Sequence, residues 1–190
     1  MSILEIYTVG HSTHTKEEFL TLLDDASIEK LVDVRAFPGS RKFPHFHEDR
    51  MTEWLPAHGI AYRHCGKLGG RRRKSKTIDN EVNEGWNNQS FHNYADYTLT
   101  PEFEEGIKEL MKEASGQRIA ICCSERHPAR CHRLLISNWL ATHGINVKHI
   151  IDGPKGKTLI EDHEVGKWGA EPVVSDDGEV TYPPKQNEDE

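Results

Sequence analysis

Five short apolar runs, at Leu4–Val9, Lys30–Val34, Ile60–Tyr62, Arg118–Cys123 and Val147–Ile151, are separated by stretches patterned as helices. A chain that alternates strand and helix must lay its strands side by side and cover both sheet faces, because a buried parallel strand has no solvated face. The expectation is an α/β, Rossmann-like three-layer fold with a mostly parallel sheet of about five strands, joined by right-handed crossovers. The helix signals agree. Thr15 with Glu18 forms a capping box ahead of Phe19, Leu20, Leu22 and Leu23. Met51, Trp54 and Leu55 mark a short helix, and Thr100-Pro101 opens one carrying Phe103, Ile107, Leu110 and Met111 at helical spacing. Pro128 suits the first position of a helix presenting Leu134, Leu135, Trp139 and Leu140, closed by His143-Gly144. The Asn-rich stretch Asn80–Asn93 reads as a lid or binding loop.

Charge divides the chain in two. Glu161–Glu190 holds ten acidic residues against Lys167 and Lys185, a net of −8, whereas the first 160 residues sum to +1. With the glycines and prolines beyond Asp152, this predicts an α/β catalytic domain over residues 1–152 and an acidic, loosely packed or disordered tail over 153–190. Fifteen aromatic residues exclude a wholly disordered chain. No apolar run reaches the ~20 residues that span a bilayer, and Met1–Tyr7 lacks a secretory pattern. Four cysteines are too few for a disulfide scaffold, so reduced thiols and a cytoplasmic location are expected.

In open parallel sheets, ligands bind beyond the carboxyl ends of the strands. Here those ends carry His11, Ser12 and Thr13 after the first strand, and Asp33 and Arg35 after the second. Cys123, Ser124 and Glu125 follow the strand at 118, with Arg130, Cys131, His132 and Arg133 just beyond. Acid, imidazole and guanidinium groups thus converge on one sheet edge. Each has a plainer alternative: Asp33 pairing with Arg35 or capping a turn, Glu125 simply solvated, Cys123 packing as a small hydrophobe. A thiol beside arginines is also a candidate nucleophile for a small anionic substrate, although Pro128 and Glu125 disfavour a phosphate-cradling loop. Cys123, Cys131 and His132 supply three zinc-type ligands, with a fourth available from His64-Cys65, but without the paired short spacings of a zinc site, so no metal is expected. Seven basic residues between Arg63 and Lys76 (Arg63, Lys67, Arg71, Arg72, Arg73, Lys74, Lys76) occur without an acid and are interleaved with glycines. They suit a loop facing a polyanion.

Six ordered motifs resemble the domain of unknown function 488 family: Tyr7-Thr8-Val9-Gly10-His11-Ser12, Asp33-Val34-Arg35 with Pro38 and Ser40, Leu68-Gly69-Gly70, Phe91 with Tyr94-Ala95-Asp96-Tyr97, Cys123-Ser124-Glu125, and Cys131-His132-Arg133. Some members of that family look like DNA glycosylases for modified pyrimidines such as 5-hydroxymethyluracil. The resemblance therefore implies hydrolysis of an N-glycosidic bond in DNA after base flipping. Such chemistry needs a carboxylate near an oxocarbenium-like sugar and donors for the leaving base. On that reading Asp33, Glu125, His11 and Arg35 are catalytic, while Ser12, Thr13, Cys123, His132, Arg133, Tyr97 and Phe91 bind substrate. Arg41, Lys42, Lys67, Arg71, Arg72, Arg73 and Lys74 would contact DNA, with Phe43, Phe46, Trp86, Phe91 and Tyr97 as wedges or stacking platforms. The nearest amine for a lyase step is Lys67, off the strand ends, so a monofunctional hydrolase without a cofactor is expected. DNA is the expected partner and a monomer the expected state. The alternatives are a cysteine- or metal-dependent enzyme acting on a small anion, and a non-catalytic nucleic-acid adaptor screened by its acidic tail.

Overall fold

A computed structural model describes residues 4–185. Six strands form one sheet in the order β3-β2-β4-β1-β5-β6: β1 (Glu5–Gly10), β2 (Lys30–Asp33), β3 (Ala61–His64), β4 (Ile119–Cys123), β5 (Asn146–Asp152) and β6 (Thr158–Asp162). The first five are parallel and β6 runs antiparallel to β5. The helices are α1 (Lys16–Asp25), α2 (Glu48–Ala57), α3 (Gln89–Tyr97), α4 (Pro101–Ala114) and α5 (Arg133–Thr142). The capping box of α1 forms as expected, with Thr15 accepting from the Glu18 amide and Glu18 accepting from the Thr15 amide.

The period-two alternation of the strands sorts the core into two layers. Ile6, Val32, Val34, Ile119, Ile121 and Val147 pack under α3, α4 and α5. Tyr7, Val9, Leu31, Ala120, Cys122 and Ile150 pack under α1 and α2. These two layers and the sheet between them make the expected three-layer Rossmann-like fold. From β1 the chain leaves toward β2 through α1, and from β4 it leaves the opposite way, toward β5, through α5. Between β1 and β4 the outgoing segments diverge, and a crevice opens at their carboxyl ends.

The mostly parallel sheet expected at about five strands carries six, because β6 covers the otherwise open edge of β5. Three sequence expectations are corrected. The segment beyond Asp152 packs rather than hanging loose: β7 (Val173–Val174) and β8 (Val180–Thr181) form a hairpin, and Tyr182 is buried with its amide donating to Asn83 Oδ1 (2.8 Å). Scattered apolar residues, Trp168, Val180 and Tyr182, anchor what composition alone marked as loose; residues 186–190 of that expected tail lie outside the described residues. Asn80–Asn93 is no free lid, since Asn83 and Trp86 are buried and α3 begins at Gln89. Pro128 opens a single 3-10 turn (Pro128–Arg130), and α5 starts only at Arg133.

Candidate functional site

Backbone bonds continue the sheet past its last paired residues and carry three strand ends into one place. The His11 amide donates to Cys123 O (2.9 Å), Ser12 to Ser124 O (3.0 Å) and Val34 to Cys122 O (2.9 Å). Gly10 makes this approach possible: a Cβ there would lie 1.7 Å from the Glu125 carbonyl oxygen. The chain then turns sharply at Ser12, whose φ of 47° is in the left-handed region, as is that of Arg71 (58°) across the crevice. Backbone held in that region tends to cluster at ligand sites.

A pocket of about 380 Å³ sits at these ends. Its floor is built around Arg35. Asp33 is fully buried and grips Arg35 bidentately, accepting from Nε at Oδ1 (2.9 Å) and from Nη2 at Oδ2 (2.6 Å). Tyr62 donates its hydroxyl to the same Oδ2 (2.5 Å). Arg35 Nη2 also donates to Phe46 O (2.8 Å), leaving Nη1 directed at His11 Nε2 (3.3 Å). Burial opposes the Arg35 charge, but the Asp33 hydrogen bonds and charge hold its pKa above the ordinary guanidinium value. Burial and then the Asp33 charge push the Tyr62 phenol up, so it remains a donor.

His11 stacks on Phe46 with ring centroids 4.4 Å apart. Its Nδ1 pairs with the Ser12 carbonyl (2.9 Å), which places the proton on Nδ1 and leaves Nε2 to accept from Arg35. Burial lowers its pKa to about 4, partly offset by that carbonyl. His11 is thus a neutral imidazole that orients Arg35.

The opposite wall comes from β4 and the start of α5. Glu125 is exposed and lines the pocket, while its carbonyl accepts from Arg133 Nη2 (2.6 Å). Cys123 and Cys131 have sulfurs 2.7 Å apart, and Arg133 Nε donates to Cys123 Sγ (3.0 Å). Burial raises the Cys131 pKa, but the Cys123 thiol and Arg133 outweigh it and bring the value down to about 7. Burial keeps Cys123 well up. His132 Nε2 bonds Val34 O (2.7 Å), and its Nδ1 lies 3.4 Å from Cys131 Sγ. Gly70 passes so close to that ring that a Cβ would meet Nδ1 at 2.8 Å.

The expected residues fall into three groups. His11, Arg35, Cys123, Glu125, His132, Phe91 and Arg71 line the pocket. Asp33 and Arg133 stand one layer behind it, each buried and each holding a group that does line it; Asp33 therefore positions Arg35 rather than facing the cavity. Ser12 and Thr13 flank the crevice without lining it, and Arg41 and Lys42 are exposed outside it. The basic run divides. Lys67 is bound to Glu105 (3.0 Å) and Glu109 (2.7 Å). Arg72 donates to Gly66 O (2.7 Å) and Gly69 O (3.0 Å) and covers the Tyr97 ring at 3.7 Å. Lys67, Arg72 and Tyr97 are therefore corrected from DNA or substrate contacts to supports of the 66–72 loop. Arg71, Arg73 and Lys74 project outward. Phe46, Trp86 and Tyr97 are buried packing residues, not wedges.

Sequence reading missed Phe37, which is 74% exposed at the pocket mouth beneath the Arg71 guanidinium (5.9 Å to the ring centroid). Its neighbours Pro38 and Gly39 advertised a turn and hid the ring. Ser40, Tyr94, Ser124 and Arg130 also line the cavity. The described residues contain no group of three or more His, Cys, Asp or Glu placed to hold a metal ion, and no helix long and apolar enough to cross a membrane.

A family model described as a domain of unknown function, DUF488, matches residues 15–140. No curated protein and no solved structure matches the chain.

Proposed function

The chain belongs to the DUF488 family, a domain of unknown function, and we propose that it is a DNA glycosylase that hydrolyses the N-glycosidic bond of a flipped, modified pyrimidine such as 5-hydroxymethyluracil. One observation carries this reading. Exposed Glu125 lines the same cavity as Arg35, a guanidinium held in place by Asp33 and a neutral His11, and the lining also includes the exposed ring of Phe37 and the cation of Arg71. The volume, about 380 Å³, falls in the small-molecule range of about 300–1,000 Å³.

The chemistry maps onto those groups. Breaking the bond between C1′ and the base nitrogen leaves a cation-like sugar and an electron-rich base. Glu125 stabilises the cation and takes the proton of the water that adds to C1′. Arg35 receives the negative charge that develops on the base, and its fixed direction means little reorganisation is needed as the bond breaks. Phe37 fills the gap left in the duplex or stacks on the extruded base, with Arg71, Arg73 and Lys74 on the phosphates. Oligonucleotides carrying a panel of modified pyrimidines, followed by alkaline cleavage at abasic sites, test the reading directly. Wild-type protein should cleave at least one member. Glu125→Gln should lose excision by about 10²-fold or more while its melting temperature and DNA affinity stay near wild type. Excision by Glu125→Gln at the wild-type rate would reject the assignment.

The low Cys131 pKa favours a second reading, in which that thiolate attacks a small anion held by Arg35 and Arg130. Cys131→Ser separates the two, since it spares excision under the first and removes turnover under the second.

A further inference from the structure

Arg133 is fully buried, yet its hydrogen-bond partners are the Cys123 sulfur (3.0 Å), the Thr8 hydroxyl (3.0 Å) and the carbonyls of Glu125 (2.6 Å) and Arg126 (3.4 Å); among the described residues, no carboxylate joins them. A guanidinium this deep keeps its charge, and an uncompensated buried charge is costly. The acidic group its side chain reaches is the Cys123 thiol, while its backbone amide donates to Cys131 Sγ (3.4 Å); the two sulfurs are 2.7 Å apart and both residues line the pocket. A thiolate formed at this pair would be stabilised by Arg133 and would offset its charge. His132 completes the arrangement: its Nε2 proton is committed to Val34 O (2.7 Å), so its Nδ1, 3.4 Å from Cys131 Sγ, is free to accept the thiol proton.

We propose that Cys131 and Cys123 form a redox-active dithiol on the pocket wall, with Cys131 attacking a small hydroperoxide and Cys123 resolving the product as a disulfide. Cys131 gives its proton to His132, and its sulfur attacks the terminal peroxide oxygen. The O–O bond breaks, an S–O bond forms, and the departing oxygen takes the proton from His132, leaving as water when the oxidant is hydrogen peroxide. Sulfur is oxidised by two electrons and the peroxide is reduced by two. The Cys123 sulfur then attacks Cys131 Sγ; the S–O bond breaks, the S–S bond forms, and the hydroxyl leaves as a second water with the Cys123 proton. The sulfurs, 2.7 Å apart, have only a short way to close to a disulfide length of about 2.05 Å. Cys65 and Cys122, both buried, do not line this pocket and take no part.

The test uses the full chain and hydrogen peroxide, with intact mass, thiol counting and peptide mapping without reductant. Two of the four thiols should disappear together, the map should show a Cys123–Cys131 bridge, and a dithiol reductant should restore both. Cys123→Ser should stop at a sulfenic acid on residue 131, captured by a dimedone-type probe. Cys131→Ser should slow oxidation by about tenfold, the advantage of a half-ionised thiol over an ordinary one. Melting curves show whether these near-isosteric variants keep their fold, and the wild-type map stands without them. A wild-type map with no 123–131 bridge, or Cys65 and Cys122 oxidised as fast, overturns the proposal. Neither outcome touches the glycosylase reading, whose bond-breaking step rests on Glu125 and Arg35.

Discussion

Asp33 shows how a carboxylate can matter at a site without facing its ligand. Both its oxygens are occupied, by Arg35 and by Tyr62, and the pair is out of water. Removing one member of such a pair leaves an uncompensated charge, with a cost of about 3–5 kcal/mol. Asp33→Ala is therefore expected to fall by that amount in chemical denaturation and to lose activity through a misdirected Arg35, whereas changes at exposed Glu125 leave stability near wild type. Equal stability of the two variants would contradict this division. At this scale the sequence was informative about identity but not about depth. Asp33 ends β2 and Glu125 lies two residues past β4, and nothing in the neighbouring sequence shows which partners lock the first carboxylate. The difference arises from Tyr62, on a strand that is distant in sequence and adjacent only in the sheet.

The element scale separates charges that share one stretch of sequence. In the 66–74 loop, Lys67 and Arg72 are tied inward, and Arg71, Arg73 and Lys74 point out. Removing one cation from a DNA phosphate should reduce the slope of log K against log salt by about 0.9. The triple change of Arg71, Arg73 and Lys74 to Ala is thus expected to flatten DNA binding by two to three of these steps. Arg72→Ala should leave the slope unchanged and lower the melting temperature; a slope that responds equally to both would count against the loop geometry. The C-terminal hairpin yields a second expectation. Tyr182 is buried against Trp86 (5.3 Å between ring centroids), and its hydroxyl accepts from Asn138 Nδ2 (3.1 Å). Tyr182→Ala should cost about 3–5 kcal/mol, readable as a fall in Tm of roughly 10 °C. The strands and the starts of α1 and α4 were placed within a residue or two from sequence, whereas α5 begins five residues past the Pro128 that was read as its first position. Where order comes from single anchors in polar surroundings, as at Trp86 or Tyr182, there was no period to read.

At the scale of the whole molecule, two buried histidines, His11 and His149, and half-buried His163 make the fold sensitive to acid. Burial lowers His11 and His163 to about 4 and His149 to about 2, with His163 and Arg133 adding repulsion at His149. His149 and His163 form part of a polar thread through the core, from Thr8 Oγ1 to His149 (2.6 Å), on to His163 (2.8 Å) and then to Asn138 (2.8 Å). The folded chain keeps these rings neutral, while the unfolded chain protonates them below about 6.5. Stability is therefore complete above that value and falls as pH drops toward about 4, by up to about 1.4 kcal/mol per pH unit for each ring. Urea midpoints measured from about pH 7 to about pH 5 should decline, and His163→Gln should make the decline shallower. A flat profile would show that the rings charge without penalty. The alternation of strand and helix was enough to anticipate the three layers. This thread was not, because its members are spaced far apart along the chain and meet only after the sheet has formed.

The antiparallel β6 also sets what a neighbouring molecule would encounter at that border of the sheet. The strand ends in Glu161 and Asp162, with Glu164 just beyond, after exposed Leu159 and Ile160. A second copy adding its own β6 in parallel register would set like charges side by side, which disfavours that one way of lengthening the sheet.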